Sequence, residues 1–559
     1  MSRARRYFPF LSWPQLSAKL WRSESLAGFT VGLMLIPQAV AYAALAGMPL
    51  ITGIYAALLP ALVAVLFSAS HRLAVGPTAL TATLVFASLS GLAEQGSPDW
   101  VNLAVWLSLM SGALQLLLGF AGLGWLLNLI SSPVLSGFTQ AAAIFIVLSQ
   151  VPALMGMGNW SQALTPQHWH LPSLCMGLGS CALLWWAKRW RPSFPTVLLL
   201  VVVSAVLSVK MGLPEQNGLT VGALPQGLPE IYWPSWIGWD AIKSLLVPAM
   251  AITMVSFMET ASSAKVDNDQ AGKIWDQDQD LIGQGLAKIA SGLSGAFPTS
   301  SSFSRSALNL YAGAQTGWAN LVQVGIIVVC LQYLTPILQP VPQSVLAAIV
   351  IMAVWGLLKP EQWMQVYRVD RMEALTALIT LGGTLFMAPQ LYWGVLLGLL
   401  LSLSHFLYLR MHPRIIEVGL HPDGSLRDRH LWKLPPLGPS VFAIRMDAAL
   451  DFATAAAFEK AIVQAMARSD VRHLVWFANS INRIDMTGTE SIARLEKNLI
   501  QRGITFHISG MKLPVETSLH RAGCLVPSGQ LRMYRTDVEA MNSLKQVLGD
   551  GVVRQGSLF

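Results

Sequence analysis

Phe297-Pro298-Thr299-Ser300-Ser301-Ser302-Phe303-Ser304-Arg305-Ser306 stands where an apolar membrane helix is due. Proline lacks the N–H that a helix interior needs, and a run of hydroxyl residues competes with the helical ladder. A counterpart lies far upstream: Val75-Gly76-Pro77-Thr78-Ala79-Leu80-Thr81 also opens on a helix breaker and continues small and hydroxylated. Each segment is the third apolar stretch in a group of seven. Paired short, Gly/Pro-interrupted segments at matching positions of two halves mark an inverted-repeat transporter with broken helices. Seven spans per repeat, an odd number, forces the halves into opposite orientations. Two Pro-kinked helices with no shared role are the alternative.

Around these segments, apolar runs fall near 25–46, 49–68, 77–92, 101–120, 125–155, 172–187 and 194–211. A second set falls near 241–263, 279–296, 301–315, 317–335, 341–358, 371–388 and 390–409. These are about fourteen spans, and a crossing helix needs about 20 apolar residues, so some are too short to cross alone. The composition agrees: 12% of the 559 residues are charged, about half the share of a soluble protein. Lys and Arg cluster at Arg72, Lys188 to Arg191, Lys265 to Lys273, Lys359 to Arg371, and Arg410 to Arg414. Every cluster follows an even-numbered span. Odd-numbered connections near 93–100, 156–171, 212–240, 336–340 and 389 hold no Lys or Arg. By the positive-inside rule both termini are expected in the cytoplasm.

The net charge of +8 includes Arg3, Arg5, Arg6, Lys19 and Arg22 ahead of the first span. Those cations suit a cytoplasmic flank, not a nucleic-acid face, and no nucleic-acid partner is expected. The segment is not read as a cleavable signal, because no small-residue cleavage site follows the apolar run. Cys175, Cys181, Cys330 and Cys524 show neither metal spacing nor an obvious disulfide pairing and read as small buried hydrophobes. No Walker-type loop occurs, so this chain does not supply ATP-driven transport. The Ser run at 300–306 has no His or carboxylate nearby in sequence, and no enzyme is expected.

Beyond residue 410 charges appear every few residues. Val441 to Met446, His473 to Phe477 and Thr505 to Ser509 read as strands. Phe458 to Ala467, Gly488 to Leu499 and Val538 to Leu548 read as helices. Alternating strands and helices predict a small α/β domain on a mostly parallel sheet.

Glu259 carries the most chemistry, since it is the one charge in the apolar stretch Ala251 to Thr260. An ionised carboxylate at membrane depth costs at least about 2.5–3.5 kcal/mol, so such a residue faces a cavity and marks an ion path. Taking up a proton relieves that cost, which makes Glu259 a candidate proton carrier; the bland reading pairs it with Lys265 at the helix end. The broken helices supply the opposite sign, because a helix N-terminus presents unpaired N–H groups and about half a positive charge. Thr78, Ser302 and Ser304 offer hydroxyls, and Arg305 offers a full charge unless it snorkels to the headgroups. In the first span Gln38 and Tyr42 lie one turn apart beside Pro37. Gln38 is read either as a substrate ligand or as an interhelical hydrogen bond.

These residues together resemble the SulP family of anion permeases over nearly the whole chain. The resemblance rests on Ala27-Gly28-Phe29-Thr30-Val31-Gly32, on Pro37-Gln38-Ala39-Val40-Ala41-Tyr42-Ala43, and on Gly53-Ile54-Tyr55-Ala56. It continues through Val75-Gly76-Pro77-Thr78, Glu259, and Phe303-Ser304-Arg305-Ser306-Ala307-Leu308-Asn309. It implies an all-α polytopic membrane domain of seven-plus-seven inverted repeats, divided into core and gate, followed by a cytoplasmic STAS domain. The expected bounds are an N-terminal segment at 1–24 and a transport domain at 25–410, with repeats at 25–211 and 241–409. A linker at 411–437 and a STAS domain at 438–559 complete the chain.

The implied function is secondary active transport of a small inorganic oxyanion, sulfate foremost, across the bacterial inner membrane by alternating access. Bicarbonate or C4-dicarboxylate transport, an anion channel and a membrane-anchored sensor are the rivals. The resemblance carries over Gln38, Tyr42, Thr78, Ser302, Ser304 and Arg305 as the anion site and Glu259 as the coupling residue. Bicarbonate–sodium members tend to place Asp at that position, so the Glu favours protons over sodium. Membrane lipid, a second copy of the chain and an unidentified cytoplasmic partner of the STAS domain are the other expected partners; no cofactor or metal is expected. Within Ile484-Asp485-Met486-Thr487-Gly488, Thr487 matches the phosphorylatable position of anti-sigma-factor antagonists, or is a plain helix N-cap.

Overall fold

A computed structural model describes residues 8–14, 16–129, 131–157, 160, 169–190, 196–215, 219–388, 390–467, 470–525 and 529–548. Arg3, Arg5, Arg6 and Arg191 lie outside them. Contacts divide the chain into two compact units, 1–402 and 403–559.

The first repeat comprises α1 (Ala18–Leu45), α2 (Leu50–Phe67), β1 (Val75–Gly76), α3 (Ala79–Leu89), α4 (Pro98–Phe120), α5 (Ser132–Leu154), α6 (Leu171–Trp190) and α7 (Thr196–Lys210). The second repeats that order: α8 (Trp239–Ala271), α9 (Gln277–Leu293), β2 (Ser300–Ser301), α10 (Phe303–Tyr311) and α11, from Trp318–Val329 through a π turn at Cys330–Leu334 to Thr335–Leu338. It ends with α12 (Gln343–Trp355), α14 (Arg371–Phe386) and α15 (Tyr392–Met411). Between the last three lies a short amphipathic helix, α13 (Pro360–Val369), which the apolar runs do not announce. A helix stands at each of the fourteen expected positions. Among the described residues, eight helical spans are long and apolar enough to cross a membrane, one of them running from α12 through α13. The two anomalous segments are the short ones, at 11 and 9 residues.

Packing separates two helix sets within this unit. In the first, α1–α4 interleave with α8–α11: α9 lies along α2 and α4, α11 along α1 and α2, and α8 along α4. In the second, α5 packs against α12 and α14, and α12 also against α6. The pairing of α1 with α11 mirrors that of α8 with α4, as an inverted repeat requires. Small residues permit the close approach: a Cβ on Gly53 of α2 would overlap the Ala39 carbonyl oxygen of α1. Trp185, Trp186, Val203 and Val206 on α6 and α7 are exposed, as expected of faces solvated by lipid.

The segment at 1–24, expected to precede the membrane domain, is partly inside it. Helix α1 begins at Ala18, and Glu24 is fully buried. Its carboxylate accepts from the backbone N–H groups of Gln315 (2.8 Å), Thr316 (2.9 Å) and Ala319 (2.8 Å), capping the start of α11. An acidic side chain there satisfies orphan donors and the positive end of the dipole.

The second unit is a six-stranded sheet in the order β4-β3-β5-β6-β7-β8. Its strands are β3 (Ile415–Leu420), β4 (Leu426–Asp428), β5 (Val441–Met446), β6 (His473–Phe477), β7 (Thr505–Ser509) and β8 (Leu531–Tyr534). Its helices are α16 (Ala455–Met466), α17 (Met486–Gln501), α18 (Leu513–Arg521) and α19 (Asp537–Leu548). Strands β5 to β8 run parallel. The expected linker at 411–437 is a correction: β3 and β4 form a hairpin, and β3 pairs antiparallel with β5 through Ile415–Met446 and Glu417–Ile444. Ile416 and Val418 turn into a core with Val475, Phe477 and Leu544, so the hairpin belongs to the domain. The N-cap reading of Thr487 is corrected too. Asp485 caps α17, accepting from the Gly488 N–H at 2.9 Å, and Thr487 is exposed in the first turn. Cys175 is exposed; Cys330 and Cys524 are buried.

Candidate functional site

Strands β1 and β2 pair antiparallel, Val75 with Ser301 and Gly76 with Ser300, although 225 residues separate them in sequence. That crossing places the N-termini of α3 and α10 on either side of one point. The preceding helices end at Phe67 and Leu293, and the chain stays non-helical through Gly76-Pro77 and Pro298 until α3 and α10 begin. Ser302 N–H then bonds the Ala74 carbonyl at 3.0 Å, and the Ala74 N–H bonds Ser306 Oγ at 3.0 Å, locking the two repeats together.

The two helix ends differ. Thr78 caps α3 in a capping box with Thr81, so that end is satisfied internally. The same Thr78 hydroxyl lies 3.1 Å from Glu259 Oε2 and donates to it. At α10 the N-cap residue is Ser302, whose side chain makes no capping bond; its Oγ lies 3.4 Å from Ser304 Oγ. The N–H groups of that turn therefore lack a side-chain cap.

Arg305 is 2% exposed, which excludes snorkelling. Its Nη2 donates to the Pro77 carbonyl at 2.9 Å, and its Nε is buried without a partner. A full positive charge thus sits at the crossing, tied to the first repeat. Tyr42 and Gln38 are buried one turn apart on α1. Tyr42 is close enough to interact with the charges of both Arg305 and Glu259. Thr78, Ser302, Ser304, Arg305 and Glu259 lie at or beside the crossing and Tyr42 is within reach of its charges, while Gln38 is buried one turn from Tyr42 and Thr487 lies in the other unit.

A cavity of about 450 Å³ opens between the two helix sets. Leu80 of α3, Val255 and Glu259 of α8, and Phe303 of α10 form one wall; Ser132, Ser136 and Thr139 of α5 form the other. Lys359 and Gln362 also line it, at the loop that the basic clusters assign to the cytoplasm. A polar-edged cleft of this size is adequate for a small ligand.

Lys288 was missed by the sequence reading. It is fully buried on α9, and its Nζ donates to Gln115 Oε1 of α4 at 2.6 Å and to Ser256 Oγ of α8. Ser256 stands one turn before Glu259. The signal was available, since a lone Lys in an apolar run is as anomalous as a lone Glu. Asp280, also fully buried on α9, accepts from Ser70 N (2.9 Å), Ser70 Oγ (2.6 Å) and Trp275 Nε1 (2.7 Å). Arg72 pairs with Asp267 at 2.7 Å. Among the described residues no cluster of His, Cys, Asp and Glu forms a metal site.

Comparison with known proteins matches this architecture. The model of the sulfate permease family covers residues 22–380, and that of the STAS domain covers 437–538. The chain is 32% identical to probable sulfate transporter 4.2 of Arabidopsis thaliana, over 92% of this chain and 80% of that one. It is 29% identical to probable sulfate transporter Rv1739c of Mycobacterium tuberculosis, over 94% and 95%. Among solved structures, SLC26A9 superposes with a TM-score of 0.87 at 18% identity, covering 98% of this chain and 94% of that one. The transmembrane domain of the cyanobacterial bicarbonate transporter BicA superposes with a TM-score of 0.60 at 18% identity, covering 69% and 98%. With its broken-helix crossing, its inverted repeat and its C-terminal STAS domain, the chain belongs to the sulfate permease family of multi-pass membrane transporters.

Proposed function

We propose that this protein imports sulfate by proton symport. The observation that carries the reading is the joint placement, on one cavity wall, of the α10 N-terminal turn without a side-chain cap and of Glu259, with the Arg305 charge held behind them. The anion is held by the N–H groups and hydroxyls of Ser302 and Ser304, and Arg305 supplies long-range positive potential. Tyr42 and Gln38 close the site from α1. Glu259 takes a proton from solution when the cavity is open and loses its negative charge as the anion arrives, so the two bind together. Sulfate is favoured over bicarbonate because the relatives that match along most of the chain are named as sulfate transporters.

The division into two helix sets supports an alternating-access cycle. The set carrying the crossing moves its bound anion past the set built on α5 and α12, and the cavity on the Lys359 side is the inward-open end of that path. Thr487, exposed at the start of α17, stands available for regulatory modification. Reconstitution in liposomes tests the reading: labelled sulfate, bicarbonate and fumarate are screened with and without an inward proton gradient. Gradient-driven accumulation of sulfate is expected. Accumulation of fumarate or bicarbonate in its place assigns a different substrate, and downhill flux alone assigns a channel.

A further inference from the structure

Lys288 is a buried cation that the mechanism above does not use. Its ammonium makes two hydrogen bonds, and the partners define its state. Ser256 Oγ directs its own proton to the Thr253 carbonyl at 3.2 Å and receives Gln115 Nε2 at 3.3 Å, so toward Lys288 it is an acceptor. Gln115 presents its carbonyl oxygen. Both neighbours accept and neither donates, which suits an ammonium, with three donors and no acceptor, and would leave the lone pair of a neutral amine unbonded. No carboxylate bonds Lys288 directly. The charged group in reach is Glu259, one turn along α8 from Ser256, and the two interact through space. The other groups around this pair are Arg305 from α10, Tyr42 from α1 and Thr78 from α3, while α4 contributes the uncharged Gln115. Asp280, two turns earlier on α9, is bonded to Ser70 and Trp275.

Resting on the sulfate–proton reading, we infer that Lys288 sets the charge class of the substrate: it is the second fixed cation that matches the site to a dianion. With Glu259 ionised, the two cations Arg305 and Lys288 are half offset, and one net positive charge remains. With Glu259 protonated, both cations stand against the anion, and their sum equals the charge of a divalent oxyanion. Proton uptake thereby switches the site from one that suits a monoanion to one that suits a dianion. Lys288 reaches the anion through space, so it is a specificity-determining residue and not a ligand.

Electrostatics gives a signature that does not depend on the distance. Removing a charge at a fixed position costs a dianion twice the interaction energy that it costs a monoanion, so the fold-loss for the first is the square of that for the second. Perchlorate and sulfate, both tetrahedral, serve as the probes, bound to the full-length purified protein at equilibrium. Lys288→Met keeps the side-chain volume; Lys288→Gln also keeps polar contact with Gln115 and Ser256 and guards against misfolding. Either is expected to lose affinity about ten-fold for perchlorate and about a hundred-fold for sulfate. The sulfate loss should be larger at acidic pH, and Lys288→Arg should retain the parent's ratio. Equal losses for the two anions, or none, overturn the inference and leave Lys288 a packing residue. A parent protein that neither binds nor moves sulfate overturns instead the function on which the inference rests.

Discussion

Replacing Arg305 by alanine removes the charge that the site model places at the crossing, and the structure sets the size of the effect. The guanidinium is buried and makes one bond, 2.9 Å to the Pro77 carbonyl, so solvent screening is weak. The dipole of α10 and the N–H groups after Ser302 survive the change, so binding weakens without vanishing. A charge-assisted interaction of this kind is worth about 1.5–3 kcal/mol, or about ten- to a hundred-fold in affinity. Ser304→Ala removes a neutral hydroxyl and should cost about 1 kcal/mol. Titration calorimetry of sulfate into detergent-solubilised protein ranks the two, with size-exclusion profiles confirming the fold. If Arg305→Ala binds sulfate like the parent while remaining folded, Arg305 is only a strut between α10 and β1, and the electrostatic account of the site is wrong.

Two further outcomes concern the second unit. A soluble fragment starting at Pro413 should fold, whereas one starting at Gly438 loses β3 and β4, bares the edge of β5 and should aggregate in light scattering; equal solubility contradicts the domain boundary. His507 packs between His473 (3.2 Å) and Tyr534 (3.0 Å), and burial lowers its pKa to about 4. Its folded value lies below the unfolded one near 6.5, so the unfolded chain binds the proton first and stability falls as pH drops below about 6.5. At pH 5 the loss from this group is about 2 kcal/mol, and His507→Gln should flatten that part of a melting curve measured against pH.

The membrane fold was legible because its deciding signals are local. Gly76-Pro77 and Pro298 stand beside small and hydroxylated residues that together do not hold a helical ladder, and the basic clusters alternate along the chain. The register of β1 on β2 was not legible, since it joins residues that only the closed inverted repeat brings together. Glu259 stood out as a lone charge in an apolar run. Lys288 carried the same signal but follows Asp278 and Asp280 in a helix that begins polar, and it blended into an amphipathic pattern. In the second unit, three of the four parallel strands read correctly from their apolar runs; β8 did not, because Arg532 interrupts its short apolar pattern. The β3–β4 hairpin did not, because charged residues flank it and half of β3 is only partly buried, although His421-Pro422-Asp423-Gly424 carries a turn signal. The cap of α17 went to Asp485 and not to Thr487 because the helix starts one residue before Thr487.

Glu259→Gln reconstituted in liposomes tests the coupling claim most directly. Glutamine keeps the size of the side chain and a hydrogen-bonding group for Thr78 but cannot exchange a proton. With an inward proton gradient, the parent should concentrate labelled sulfate, and Glu259→Gln should not, while sulfate-for-sulfate exchange persists in both. A variant that accumulates sulfate against its gradient as well as the parent does would remove Glu259, and proton symport through it, from the mechanism.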